Sequence, residues 1–439
     1  MDNITHSLIG LGAGELIHRS LRPEPDAASQ RTRHRLLLAA CALASNFPDL
    51  DLFLTKLLPV PLGYLLNHRG HTHTLLFALP QALLLLALLW SLWPAARALL
   101  RRSGAARFGL AASTLLGLGL HLLMDFTNSY GIHPFYPFDG RWFYGDMVFI
   151  VEPLFWVAFG VPLAWLTAAR TTRALGLGLL AAALLFFGWK GFLAWSALAA
   201  LLAVAAAMIA LQRRDGARGR GALLLALVLS GVFVGGQGLG SAVGAQRIRA
   251  ALLQLDPAAR TVDVAMTAFP SQPLCWNFVS VEVDEAADRY RMRRGVLSLA
   301  PQWLAPQACP SGLLDRVAAQ APARPLTAAL TQYDERSASL SALRGLRRDS
   351  CYVDAWLRFA RAPALVDGEL SDYRFAGTPN GNFSALRIAD SRQAACPQNV
   401  PRWDYPRADL LTPSATVAPA PAPAPTPTPT LVSAGGRPP

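Results

Sequence analysis

Apolar runs close to the ~20 residues that a bilayer-spanning helix needs recur through the first half of the chain, at 75–93, 108–126, 148–168, 174–189, 192–211 and 221–239. In hydrocarbon the backbone must satisfy its own hydrogen bonds, so such runs become helices. Two shorter apolar segments, 4–17 and 36–45, precede them. They fit full spans, tilted half-helices or a re-entrant hairpin. Beyond about Gly240 the pattern changes to alternating stretches such as 261–266 and 277–283, the period expected of strands with one buried face. The end of the chain, 412–439, consists of Ala-Pro and Thr-Pro repeats, a composition that forms no core and predicts an extended, disordered tail. The expected fold class is mainly α: a polytopic transmembrane bundle (1–241), then an extracytoplasmic α+β domain (242–411), then the tail.

Composition agrees with that pattern. Apolar residues make up 53% of the 439, only 15% are charged, and the mean hydropathy is +0.30, whereas a soluble protein is about a quarter charged. No basic stretch precedes the first apolar segment, which argues against a cleaved signal peptide. The formal charge of +12 suggests nucleic acid until its distribution is examined. Arg19, Arg22, Arg31, Arg33, Arg35, Arg97, Arg101, Arg102, Arg107, Arg170, Arg173, Arg213, Arg214, Arg218 and Arg220 occupy alternate loops. The intervening loops hold only Lys56, Arg69, Arg141 and Lys190. That asymmetry places the arginine-rich loops in the cytoplasm. The basic balance is therefore topology, and no nucleic-acid partner is expected.

With that orientation, the candidate chemistry gathers on the opposite face. All eight histidines lie within the first 133 residues. His6 begins the first short segment at its outer side, and Asn46, Asp49 and Asp51 follow the second as it returns outward. His68, His71 and His73 precede the inward run at 75. His121 and Asp125 end the run at 108–126, and their i, i+4 spacing puts them on one helix face. Asp146 and Glu152 open the next run. Distant segments thus converge at one membrane interface.

Histidine with carboxylate and no cysteine suits zinc, manganese or iron rather than a Cys-rich structural knot. His6, Asp49, Asp51, His68, His73, His121 and Asp125 are more donors than one tetrahedral ion requires. Two neighbouring ions would activate water and hold both oxygens of a phosphoester. Carboxylates at membrane depth are costly unless paired or metal-bound. Plainer roles remain open: a helix cap for His6, a turn for Asp49 and Asp51 after Pro48, interfacial polarity for the 68–73 trio, a hydrogen-bonded pair for His121 and Asp125. Alternate spacing favours His68 and His73 over His71. Arg69 fits a carboxylate, an anionic substrate or a lipid headgroup. His18 and His34 fall among the cytoplasmic arginines as bystanders, and His133 stands open.

Four cysteines of the outer segment, Cys275, Cys309, Cys351 and Cys396, read as up to two disulfides in an oxidising compartment, with three pairings possible. Cys41 lies in an apolar helix and reads as packing.

Taken together, Met1-Asp2-x-x-Thr5-His6-x-Leu8-x-Gly10, Asn46-x-Pro48-Asp49-x-Asp51, His68-Arg69-Gly70-x-Thr72-His73 and His121-x-x-x-Asp125 resemble the YdjM-like family of membrane-bound predicted metal-dependent hydrolases. Arg141-Trp142 and Asp146-x-Val148-Phe149-Ile150-x-Glu152-Pro153 also look like that family, which more usually has aspartate before the proline. The resemblance covers about residues 1–155 well. It implies a zinc-phospholipase-like or related hydrolase with His6, Asp49, Asp51, His68, His73, His121 and Asp125 at the matching positions.

The sequence therefore predicts a multi-pass inner-membrane metallohydrolase with its site and outer domain on the periplasmic side. Its cofactor is one or more divalent ions, zinc first. Asp49 or Asp51 serves as general base, and an ester or phosphoester of a lipid or lipid-linked molecule is the substrate. One rival is a non-enzymatic membrane protein whose metal staples helices and whose outer domain binds partners. Another is a metal transporter, which should place ligands near mid-membrane and on both faces.

Overall fold

The computed structural model describes residues 1–215, 219–310, 323–375, 382–393 and 395–413. The expected tail lies outside the described residues, apart from its first two positions. The membrane region contains α1 (Asn3–Ser20), α2 (Ala27–Ala44), a 3₁₀ segment (Phe47–Leu57), the short α3 (Leu62–Asn67) and one 3₁₀ turn (His71–His73). It continues with α4 (Leu75–Leu92), α5 (Pro94–Arg102), α6 (Gly104–Phe126), α7 (Pro153–Leu166), α8 (Arg170–Trp189), α9 (Trp195–Asp215) and α10 (Gly221–Leu255). Among the described residues, six segments are long and apolar enough to cross a membrane: Ala27–Leu57, Leu75–Leu92, Gly104–Phe126, Arg170–Trp189, Trp195–Asp215 and Gly221–Leu255. α7 is apolar but shorter. Leucines such as Leu79, Leu83, Leu175 and Leu179 face outward, where lipid tails are as apolar a neighbour as another leucine.

Local signals set the helix ends. Asp2, Asp26, Thr74 and Ser103 each accept a hydrogen bond from a backbone N–H in the first turn of α1, α2, α4 and α6, satisfying a donor that the helix leaves orphaned. The run at 148–168 becomes helical only from Pro153, whose missing N–H is tolerated at a first helical position. Glu152 caps it there. Pro94 likewise separates α4 from α5. Small residues let α1, α2 and α6 approach closely. A Cβ at Gly117 would stand 2.6 Å from the Ala44 Cβ and 2.7 Å from the Cys41 carbonyl oxygen. That contact brings the end of α2 against α6 one turn below His121.

α10 runs unbroken to Leu255, so the junction expected near residue 241 lies within a helix. Its last turns pack Ile248 and Leu252 against Met266, Trp276 and Leu297 of the outer domain. That domain opens with an antiparallel sheet of β1 (Arg260–Phe269), β2 (Gln272–Asp284), β3 (Arg289–Ser298), β4 (Arg324–Thr327) and β5 (Leu330–Ser339) in the order β1-β2-β3-β5-β4. The alternating stretches fall in β1 and β2, whose register sets Thr267 opposite Asn277. There follow α11 (Leu340–Asp349), α12 (Cys351–Leu357), a small sheet of β6 (Pro363–Val366), β7 (Glu369–Asp372) and β8 (Leu386–Arg387), then α13 (Ile388–Gln393) and α14 (Ala408–Leu411). Of the three pairings open to the four cysteines, the structure forms Cys275–Cys309 and Cys351–Cys396. Cys41 is free and buried.

The two regions share one core. Leu62, Leu65 and Leu66 of α3 pack with Trp356, Phe359 and Trp403. The indole of Trp403 donates to the Leu66 carbonyl at 2.9 Å, and that of Trp142 to the Arg358 carbonyl at 2.7 Å. Arg361 links both sides: its guanidinium donates to Asp146 at 2.8 and 2.9 Å and to Asp263 at 2.7 and 3.1 Å. Asp146 and Glu152, singled out by sequence, thus serve this junction. Glu152 accepts from the Ser271 backbone N–H at 3.0 Å and also from the Ser271 hydroxyl.

Removing a partner from a buried ion pair typically costs about 3–5 kcal/mol, because it strands the opposite charge. Arg361→Ala should lose about that much in denaturant unfolding of the detergent-solubilised protein. Burial lifts the Glu152 carboxyl to about 7 from its ordinary 4.5, against the opposing donors on Ser271 and Leu154. A raised folded value means stability that is complete below pH 4.5 and lost as pH rises through 7. Melting temperatures of wild type and Glu152→Gln should therefore lie closest below pH 4.5, diverge between pH 4.5 and 7, and stay apart above pH 7 with wild type the lower.

Candidate metal centre

Each site residue is delivered by a local device. Asp2 caps α1 and also accepts from the Thr5 hydroxyl. Thr5 Oγ1 in turn accepts from the Trp156 indole at 2.8 Å, tying α1 to α7. That arrangement sets His6, the next residue, facing α6. Asp49 and Asp51 sit in the 3₁₀ segment that follows the end of α2. His68 and Arg69 leave α3, and a tight turn returns the chain to His73. Gly70 fits that turn because a Cβ there would lie 2.9 Å from the Asn67 carbonyl oxygen. Arg69 adopts φ +58°, a costly conformation for a long side chain that persists only where its surroundings fix it. Those surroundings are Asp51, which takes its backbone N–H at 2.9 Å, and Asp125 and Asn128, which take its guanidinium at 3.0 and 2.8 Å.

The structure brings all seven sequence-predicted residues to one place. Asp49, His73, His121 and Asp125 offer ligand atoms within 4.8 Å of one another, as do Asp49, Asp51 and His68. His73 Nε2 lies 3.0 Å from His121 Nε2, 3.1 Å from Asp125 Oδ2 and 3.5 Å from Asp49 Oδ1. His121 Nε2 lies 3.5 Å from Asp125 Oδ2 and 3.7 Å from Asp49 Oδ1. His6 stacks on His121 with ring centroids 4.1 Å apart, and its Nε2 is 3.3 Å from Asp125 Oδ1. It stands beside the four-residue group rather than within it.

These distances fit an ion. Around a tetrahedral cation with ligand bonds of about 2.0–2.1 Å, neighbouring donors stand about 3.3 Å apart, and the five separations run from 3.0 to 3.7 Å. Asp125 Oδ2 is buried without a well-directed hydrogen bond. Tautomers are fixed from behind. His121 Nδ1 meets the Ser45 carbonyl at 2.7 Å, which accepts its proton and leaves Nε2 free. His73 Nδ1 meets Asp51 Oδ2 at 3.1 Å, the carboxylate–histidine relation that orients metal ligands.

Asp51 therefore has two faces. Oδ2 accepts from the Arg69 backbone and, at 2.7 Å, from the Thr72 hydroxyl, and it also meets His73. Oδ1 faces His68 Nδ1 at 2.9 Å, on the side shared with Asp49. Asp49 Oδ2 accepts from the Asn3 amide at 2.7 Å. Without an ion, burial opposes charge on His73, but hydrogen bonds to Asp125, Asp49 and Asp51 win and lift it to about 10.

The remaining histidines lie elsewhere. His71 packs on Trp403 and Tyr136, and His133 is held between Trp142 and Trp403 with centroids at 3.9 and 4.0 Å. Burial pushes His133 down to about 3, so it is neutral. His18 and His34 sit beside Glu15 at the opposite end of α1 and α2. Sequence reading missed Asn3, Thr72 and Asn128. Thr72 lies inside the histidine string, and only that position marks it. Asn3 and Asn128 carry no signal beyond proximity to His6 and Asp125.

Residues 1–196 match the family model of the YdjM inner membrane protein. YfhP of Bacillus subtilis (strain 168), described as an uncharacterized protein, is 27% identical over 158 residues, which is 36% of this chain and 44% of YfhP. The match thus spans less than half of that relative. No solved structure matches the chain. Residues 1–196, which hold every member of the cluster, are thus similar to the YdjM inner membrane protein family.

Proposed function

We propose that the chain is a membrane-bound, metal-dependent hydrolase acting on an ester or phosphoester of a lipid or lipid-linked molecule. The observation that carries this reading is the pair of donor groups sharing Asp49. Asp49, His73, His121 and Asp125 supply four protein donors, the complement of a closed site. Asp49, Asp51 and His68 supply three, and catalytic sites keep the remaining position for water or substrate. Mixed imidazole and carboxylate donors without cysteine favour zinc. A bound divalent ion would supply a water whose pKa falls toward neutrality.

The residues have separable tasks. Asp51 holds His73 in its tautomer through Oδ2, leaving Oδ1 toward His68 and Asp49. Asp49 retains 10% exposure on its side chain and His68 11%, so these two meet incoming substrate. Asp49 or Asp51 serves as general base where it does not bridge two ions. Arg69 and Asn3 fix the carboxylates. The site lies where helices end, the depth at which headgroup linkages sit. An outward placement of the site and the outer domain is supported by the arginine asymmetry and by the two disulfides, which persist in oxidising compartments. The closed four-donor group also favours a second reading, in which a single ion only staples helices.

Metal analysis of detergent-purified protein, with assays on phospholipid and phosphodiester substrates, separates these readings. Wild type should retain zinc and hydrolyse at least one substrate; His73→Ala should lose the metal. Asp51→Asn should weaken metal affinity about 10–100-fold by releasing the orientation of His73. His68→Ala should keep the four-donor ion yet lose at least ~100-fold in turnover. Equal metal in wild type and His73→Ala would remove the central assignment. Retained metal without hydrolysis of any ester would leave the staple.

A further inference from the structure

A cavity of about 260 Å³ lies between the outer domain and the membrane region, beside the metal centre. Its floor is Tyr64, Tyr130 and the stretch 148–150; its roof comes from β1, β2 and β3 through residues such as Thr267 and Phe278; Phe375 and Phe383 close one side. We infer that this cavity binds the hydrocarbon chain of an amphiphilic substrate whose polar linkage lies at Asp49 and His68. The inference deepens the hydrolase reading and rests on it.

Three observations carry it. The first is chemical: the walls are mostly carbon, formed by aromatic rings and aliphatic side chains. Asn128, Asn277, Arg294 and Arg374 add a minority of polar atoms, the mix found in small-molecule sites. The second is connectivity. The Tyr64 ring lies 5.0 Å from that of His68, and Tyr130 lies 5.9 Å from the same imidazole. Asn128, also on the wall, accepts from Arg69, the residue that reaches Asp125. At the other side Phe149 packs on Phe192, in the turn between α8 and α9, and Ile150 is exposed. The cavity is therefore bounded toward the metal centre by rings that touch His68, and at its other side by the stretch 148–150. The third is rigidity. Arg361 clamps Asp146 to Asp263, and Glu152 clamps the start of α7 to Ser271. Interiors are close-packed, and a junction held this firmly that still encloses such a space is built to be filled from outside.

An alkyl chain is the occupant that fits both ends. Among the polar side chains, Arg374 is engaged by Asp372 and Arg294 lies over the Tyr333 and Tyr373 rings, so the carbon surface suits an alkyl chain better than a free polar solute. A protein segment would bring more backbone N–H and C=O groups than the minority of polar wall atoms could partner. The outer domain thereby gains a definite role as the wall that selects substrates by their apolar part.

The test uses full-length protein in nanodiscs of phosphatidylcholine and phosphatidylglycerol, doped with a phospholipid carrying a diazirine in one acyl chain. After irradiation, peptide mass spectrometry should find adducts on 148–150, Tyr64 or Phe383. Thr267→Trp, which fills the roof, should cut that labelling at least tenfold while metal content stays at the wild-type level. Asn277→Trp, on the facing strand position, provides a second filled variant should the first not fold. Adducts confined to the outward faces of α4, α8 and α10, or labelling that neither filled variant reduces, would overturn the cavity assignment. Hydrolysis of phospholipid by the wild type is measured in the same nanodiscs. Labelled cavity without turnover sinks the hydrolase and keeps a lipid-binding cavity; turnover with an unlabelled cavity sinks this inference alone.

Discussion

Three carboxylates, Asp49, Asp51 and Asp125, lie almost wholly out of water among apolar helices, and most of the membrane region is arranged to make that tolerable. An uncompensated buried charge in a low-dielectric setting costs many kcal/mol. Here compensation arrives from four directions: the start of α1, the end of α2, the turn before α4 with its Arg69 guanidinium, and the end of α6. Each of those elements could satisfy its own backbone alone. None could bury its acidic or imidazole side chain alone. The cluster therefore fixes relative positions that greasy packing, being non-directional, would leave adjustable.

That division explains what the sequence made legible. Helix existence followed from local composition, so every long apolar run reappears as a helix. Convergence of His6, Asp49, Asp51, His68, His73, His121 and Asp125 followed from the parity of the apolar runs. Boundaries were harder. Pro153 delays α7 because hydropathy averages ignore where an N–H is needed, and α10 continues past its apolar stretch because Ile248 and Leu252 find a second partner in the sheet. The roles of Asp146 and Glu152 were hidden for a different reason. Their neighbours, Arg361 and Ser271, lie more than a hundred residues away, and no local pattern announces such partners. The choice among three cysteine pairings was closed to sequence on the same ground.

Within the cluster, chemistry type was readable but division of labour was not. Asp49 and Asp51 look equivalent along the chain, two residues apart. The 3₁₀ path separates them: Asp51 turns one oxygen into a nest of Arg69, Thr72 and His73 donors, while Asp49 stands between both donor groups. A helix would have set them about 200° apart by its 3.6-residue turn, and both could not have served one centre. The tighter segment, begun at Asn46 and Pro48, is what lets two nearby carboxylates take different positions in the same cluster.

The outer domain completes the electrostatic argument. Trp403 caps α3 by bonding to the Leu66 carbonyl, two residues before His68, and packs beside His71 and His133. Indoles there displace water from the outward side of the cluster. Water exclusion strengthens every charge–charge contact beneath it, so the domain that covers the site also raises the energetic stake of each ligand.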